Sequence, residues 1–445
     1  MKNVKTLLLA ALPALMPVVA MAQDSTAAVT EVAAETMDKG DVAWMMTATL
    51  LVLFMLLPGL ALFYGGLVRS KNMLSVLMQC TSIGALMMVI WVLYGYSFAF
   101  GGSDSAYWGG LGKLFLKGVT ADSMAATFTD GVVIPEYVFI AFQMTFAAIT
   151  PALIIGAFAE RIKFGALMLF CALWVTFVYF PIAHMVWDGN GMIFNWGAID
   201  FAGGTVVHIN AGIAALVGCI VIGPRVGFGK ENMAPHSMTL TLVGAAILWV
   251  GWFGFNAGSN LESNGGAALA MINTFAATAG AILAWNVIEK FTRSHSSMLG
   301  AASGMIAGLV AITPACGTVG PVGAIVLGAI ASAVCYFFVA VVKNKFKYDD
   351  SLDVFGIHGI GGIIGAVGTG IFTAPGLGGT GGEDYVMAAQ TWIQIKAVLV
   401  TIVWCGVVSF ILFKIVDAIM GLKVSEEDQR QGLDQTSHGE SAYTA

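Results

Sequence analysis

A chain of 445 residues with 58% hydrophobic and only 10% charged side chains carries more apolar surface than a soluble domain of that size can bury, and it reads as a polytopic membrane protein. Its net charge of -6 sits mostly in loops and the two tails, so the composition suggests neither a nucleic-acid partner nor an anionic-lipid anchor. Membrane lipid is the surface it calls for.

In chain order, residues 1–22 have the layout of a cleavable signal peptide: Lys2 and Lys5, an apolar run from Leu7 to Val19, and Ala20-Met21-Ala22 before Gln23. A short periplasmic segment, 23–41, follows. Apolar stretches long enough to cross a hydrocarbon core then fall at 42–68, 73–101, 133–159, 164–184, 202–223, 237–257, 265–289, 298–314, 319–342, 352–374 and 391–420. The expected fold is all-α, with eleven transmembrane helices in a membrane domain over 42–420 and a tail over 421–445.

With the mature N-terminus outside, an odd number of spans leaves the tail in the cytoplasm. Charge placement supports this independently. Arg69, Lys71, Arg161, Lys163, Arg225, Lys230, Lys290, Arg293, Lys343, Lys345 and Lys347 all fall in loops expected to be cytoplasmic, as the positive-inside rule requires. The six cysteines show no C-x-x-C pair and read as small apolar fillers, and no metal or cofactor site is expected.

Two spans share H-x-x-x-G-x-x-x-x-x-G: His208, Gly212 and Gly218, then His358, Gly362 and Gly368. Phe63-Tyr-Gly-Gly66 echoes Phe255-Asn-Ala-Gly258. Spans 1–5 and 6–10 are therefore expected to be repeats, and an odd number of spans per repeat makes them inverted, with a pathway near the midplane and the eleventh helix outside the repeat. Gly300, Gly304 and Gly308 have the spacing of tight helix packing.

An ionisable ring within an apolar span is costly and marks a substrate path. At about 1.5 Å per residue, His208 lies roughly 12 Å from one edge and His358 roughly 10 Å from the other, so both approach the centre of a core about 30 Å thick. Without a nearby Cys or carboxylate they make a poor metal site. They suit a small polar solute that can give up or accept a proton. Phe142, Phe146, Trp187, Trp252, Phe255 and Ser259 gather at the outer level. Two readings are open for the aromatic residues among them, an interfacial belt or a cation–π cup to which Ser259 adds an oxygen acceptor. Asp200 fits a helix cap or a carboxylate that raises cation affinity, and Asp353 is expected to be the matching cap before His358.

The motifs Asp200-Phe-Ala-Gly-Gly-Thr-Val-Val-His208, Gly251-Trp-Phe-Gly-Phe-Asn-Ala-Gly-Ser259, Asp353-Val-Phe-Gly-Ile-His358-Gly and Phe63-Tyr-Gly-Gly-Leu-Val-Arg69 closely resemble the ammonium transporter family (Amt/Mep/Rh), in its bacterial Amt branch. The resemblance runs from about residue 41 to the C-terminus. It implies a homotrimer in the bacterial inner membrane and an outer ammonium site of Phe146, Trp187 and Ser259, with Phe142 nearby and Asp200 behind. It further implies a gate of Phe146 and Phe255, a twin-histidine pore of His208 and His358, and lining positions at Trp252 and Thr313.

On composition alone the tail reads as charged and partly disordered. Its resemblance to the family's tail implies docking of a PII-type signal protein. Transport of ammonium or ammonia is the function implied; an ammonium-sensing receptor and an Rh-like gas channel are the alternatives. No nucleotide, metal or nucleophile constellation points to an enzyme.

Overall fold

The computed structural model describes residues 35–443; the signal-peptide assignment over 1–22 lies outside them. Among the described residues ten long apolar helices are present: α1 (Lys39–Leu67), α2 (Ser70–Phe100), α3 (Glu136–Phe158), α4 (Phe164–Asn195), α5 (Gly204–Ile222), α6 (Met238–Gly258), α7 (Gly265–Arg293), α9 (Pro321–Phe346), α10 (Phe355–Phe372) and α11 (Met387–Met420). The eighth expected span is the shorter α8 (Met298–Ile312). Its 15 residues reach about 22 Å, less than a full hydrocarbon core. Pro314 follows directly, and its ring lies where a Cβ on Gly204 would have to go, so α8 stops against the start of α5. Between α2 and α3, Met124–Ala126 and Val133–Pro135 pair as a small antiparallel hairpin.

The chain is built as the expected inverted five-helix repeats plus an eleventh helix. Asp200 and Asp350, His208 and His358, and Gly212 and Gly362 are each 150 positions apart. Each histidine sits in a π-helical first turn, Gly204–Ile209 in α5 and Phe355–Gly359 in α10. Such a turn re-aims a side chain at the cost of regular hydrogen bonding. The residue five before each histidine has a left-handed backbone, Gly203 at φ 112° and Asp353 at φ 62°.

The expected cap at Asp353 is corrected by this geometry. Asp350 caps α10, its carboxylate accepting from the Val354 and Phe355 N–H groups at 3.1 and 2.8 Å. Asp353 occupies the left-handed position equivalent to Gly203, a conformation Asp tolerates better than most residues, and its carboxylate pairs with Lys343.

The small residues work as close-approach points. A Cβ on Gly212 would lie 2.2 Å from the Gly359 Cα, and one on Gly362 would lie 3.1 Å from the Gly204 oxygen and 3.2 Å from the His208 Cβ. As numbers rise along α5 they fall along α10, so the two helices cross antiparallel, and each glycine admits the other helix's histidine turn. On α8, Gly304 and Gly308 lie against Ala281 and Ala277 of α7, the tight packing their spacing predicts.

At the end of the molecule opposite Trp187, the arginines counted as topology markers form a buried network. Arg161 is fully buried and donates to the carbonyls of Gly223 (2.8 Å) and Asp349 (2.6 Å) and to the Ser351 hydroxyl (2.6 Å). Arg225 pairs with Asp349 at 2.7 Å and with Glu160 at 3.3 Å, and Glu160 also holds Arg69 at 2.7 Å. Burial pushes the carboxyls of Glu160 and Asp349 up, but the neighbouring guanidinium groups outweigh it and hold both below the usual carboxylate range.

The tail docks on this network instead of standing free. Ile162 and Lys423 form an antiparallel bridge, and α12 (Glu426–Gln431) and α13 (Leu433–His438) lie across the loops. The Asp434 carboxylate accepts from the Ser75 N–H at 2.8 Å, and Gln429 accepts from the Val226 N–H at 3.1 Å. Backbone-directed polar contacts of this kind are not visible in composition, which is why the segment read as partly disordered.

Candidate functional site

Asp200 starts the site. Its carboxylate accepts from the N–H groups of Gly203 (3.0 Å), Thr205 (2.9 Å) and Val206 (3.1 Å) and from the Thr205 hydroxyl, so it caps the free amides that open α5. Its backbone oxygen accepts from the Trp187 indole N–H at 2.9 Å. One residue thereby fixes both the helix that carries His208 and the ring of Trp187.

Four aromatic side chains converge at that end. Phe146 stacks on Phe255 with centroids 4.2 Å apart and planes 29° apart, meets Trp187 edge-on at 5.9 Å and 86°, and meets Phe142 at 4.9 Å. Phe142, Phe146 and Phe255 are almost fully buried, which an interfacial belt would not require. The Ser259 hydroxyl donates to the Phe255 carbonyl at 2.8 Å, leaving its own lone pairs unused.

Beyond the Phe146–Phe255 stack lies a narrow cavity of about 10 Å³, lined by His208, His358, Trp252 and apolar side chains including Met55, Leu248 and Ile306. That volume admits about one water-sized molecule. The two histidines meet here, with Nδ1 to Nδ1 at 3.2 Å and rings 24° from parallel. A nitrogen–nitrogen hydrogen bond between neutral rings needs one donor and one acceptor. One ring therefore keeps a bare Nε2 and the other carries a hydrogen there. The Nε2 of His208 has no protein partner.

The His208 ring is held from the Trp187 side by Trp252 at 5.4 Å and Phe255 at 5.9 Å, both near parallel. Trp252 donates to the Thr313 hydroxyl at 3.0 Å, so Thr313 stands behind the lumen and fixes one of its walls.

The expected residues Phe142, Phe146, Trp187, Phe255, His208, Trp252 and His358 thus form one run of neighbouring rings, with Ser259 bonded to the Phe255 carbonyl and Asp200 and Thr313 bonded to Trp187 and Trp252. The path widens past His358 into a cavity of about 230 Å³ bordered by Arg225, Ser303, Lys343, Ser351 and Asp353. These residues were read from the sequence, if at all, as loop charges or as a cap. Asp350 does not stand out in the sequence, although its 150-residue offset from Asp200 marks it. Among the described residues no cluster of His, Cys, Asp and Glu is arranged to hold a metal.

The Ammonium Transporter Family model matches residues 43–443. The chain belongs to the ammonium transporter family. It is 48% identical over 412 residues to a protein of Aquifex aeolicus named ammonium transporter, covering 92% of this chain and 94% of that one. The protein of the same name in Bacillus subtilis is 47% identical over 411 residues, covering 92% and 99%. Among solved structures, a "Sensor Amt Protein" superposes with a TM-score of 0.82 at 28% identity, over 90% of this chain and 98% of that one. Mep2 of Candida albicans does so with a TM-score of 0.80 at 34% identity, over 88% of each chain. As a member of a family of transporters, the chain is not an enzyme.

Proposed function

We propose that this membrane protein conducts ammonium by binding the cation at the Trp187 end, removing its proton and passing ammonia along the twin-histidine lumen. The observation that carries the reading is the juxtaposition of a stacked Phe146–Phe255 pair with a lumen that has room for one small molecule and two imidazoles for polar contact. The faces of Phe146 and Trp187 attract a cation, and the free lone pairs of Ser259 accept one of its N–H groups. Asp200, although its oxygens are engaged as a cap, adds a negative charge behind the cup that favours a cation over a neutral molecule.

Past the ring stack a cation loses its water with little to replace it, a cost that grows with charge and vanishes for a neutral species. Ammonium can shed its proton and proceed as ammonia. Potassium cannot. The bare Nε2 of the histidine pair accepts a hydrogen bond or a proton, and the other Nε2–H donates to the ammonia lone pair, so the pair serves both needs of the passing molecule.

The same reading assigns the Trp187 end to the outside and the tail to the cytoplasm of a bacterial inner membrane. It also takes the unit to be a homotrimer and the tail to be the docking surface for a PII-type signal protein. The basic loops gathered at the tail end support that orientation.

The test uses purified protein in liposomes, with uptake followed by current on a solid-supported membrane and by an internal pH dye. A pulse of ammonium is expected to give a saturable response and an equal pulse of potassium none. No ammonium-dependent response in either readout, or an equal response to potassium, would overturn the proposal.

A further inference from the structure

His184 lies one turn before Trp187 on α4 and belongs to none of the groups that line the path. Its side chain is fully buried. The Nδ1 atom is 2.8 Å from the Ala99 carbonyl oxygen at the end of α2, and Nε2 is 2.7 Å from the Ser105 carbonyl oxygen in the following loop. A carbonyl oxygen only accepts, so each contact needs N–H from the ring. Turning the ring over does not remove the requirement, because carbon would then sit at 2.7–2.8 Å from oxygen, well inside the roughly 3.3–3.6 Å of a C–H···O contact. A neutral imidazole donates from one nitrogen and aims a lone pair from the other.

The surroundings suit a doubly protonated ring. Asp188, on the same helix, places a carboxylate oxygen 3.8 Å from Nδ1. Elsewhere on the 96–136 segment, Glu136 at the start of α3 and Lys113 in the loop after α2 pair with each other, and the Tyr96 hydroxyl donates to Glu136 at 2.7 Å. Among the described residues, Asp188 is the acidic group that comes within 4 Å of the ring.

We propose that His184 is a positioning residue for the cation cup, held as a doubly donating imidazolium that pins the 184–187 turn of α4, and with it the Trp187 ring, to the 99–105 segment. The inference rests on the cup reading of Trp187 given above. The indole makes a single hydrogen bond, to Asp200, so its aim depends on how firmly its own turn is held. That turn is tied on one side by the two bonds of His184 and beyond it by the Met192 N–H donating to Ala106 at 2.9 Å.

Two measurements test it. In solid-state NMR of the ¹⁵N-histidine protein in lipid, with exposed-end histidines removed as a His236→Gln, His295→Gln, His438→Gln variant, one of the three remaining rings should show N–H at both nitrogens under transport conditions, and His208 and His358 should each show one bare nitrogen. Bare nitrogen on all three rings overturns the proposal. In transport, His184→Gln keeps one donor and loses the charge. It should raise the half-saturating ammonium concentration about 3- to 10-fold with the maximal rate per folded protein unchanged, as expected when an aromatic cation contact is misaligned. A lowered maximal rate at unchanged half-saturation would mean a merely structural role and would also overturn it. Failure of the cup reading is told apart by Trp187→Leu: if that change leaves half-saturation untouched, the cup is wrong whatever the NMR shows.

Discussion

Adding one methyl group at Gly212 should cost this protein its transport, and the structure supplies the magnitude. A Cβ there would lie 2.2 Å from both the Cα and the N of Gly359, about 1.2 Å short of an ordinary 3.4 Å contact, and the obstacle is backbone. Overpacking of this kind costs about 1–3 kcal/mol of stability. Relief requires α5 and α10 to separate, which opens the 3.2 Å histidine contact to about 4.4 Å and breaks it as a hydrogen bond. A displacement of about 1 Å at a reacting centre can lower a rate roughly 100-fold, so Gly212→Ala should retain about 1–10% of wild-type ammonium flux.

Gly362→Ala is the internal control. Its Cβ would meet the Ile209 Cγ1 at 3.0 Å, the Gly204 oxygen at 3.1 Å and the His208 Cβ at 3.2 Å, shortfalls of only a few tenths of an ångström against about 1.2 Å at Gly212, so it should lose far less flux. The assay is initial ammonium uptake in liposomes, normalised to folded protein by size exclusion and thermal melting. Wild-type flux from well-folded Gly212→Ala, or equal losses at the two glycines, would refute the reasoning.

Trp187→Leu should raise the half-saturating ammonium concentration about 2- to 30-fold, the range that corresponds to losing 0.5–2 kcal/mol of cation–π attraction, as read from the uptake curve. Asp350→Ala should lower the thermal midpoint by removing about 0.5–2 kcal/mol of helix capping, whereas Asp350→Asn, which still accepts from the Val354 and Phe355 N–H groups, should recover most of it. Acid should destabilise the tail-end network. Glu160 and Asp349 are held below their unfolded values, so their contribution is complete above about pH 4.5 and fades as the pH falls through their lower folded values. Asp350, pushed up to about 6 by burial, acts with the opposite sign, losing stability as the pH rises from about 4 through 6. Melting in detergent between pH 3 and 5 should therefore show a falling midpoint at the acid end, and Arg225→Ala should flatten that fall.

The order of spans, the inverted repeats and the family were legible in the sequence, because hydropathy, loop charge and motif spacing are local properties of the chain. His208 and His358 stood out for the same reason: an ionisable ring in an apolar run needs no neighbour to be conspicuous. The pairing is expected too, from their matching depths and from the family resemblance, but the 3.2 Å contact between the rings is not. It depends on α5 and α10 crossing at Gly212 and Gly359, and a glycine's close approach is visible only when its neighbour is known.

Asp353, standing before His358 much as Asp200 stands before His208, is the cap the sequence suggests. The chain instead turns through a left-handed residue there, and Asp350 reaches back to the amides. Arg69, Arg161 and Arg225 announced topology, yet only tertiary structure made them a buried network, since their partners Glu160 and Asp349 come from loops far apart in the chain. The sequence by itself determined which segments leave water and which side chains are anomalous within them. Which of those side chains touch was decided by helix crossings, because contact distance depends on packing between segments that no local pattern encodes.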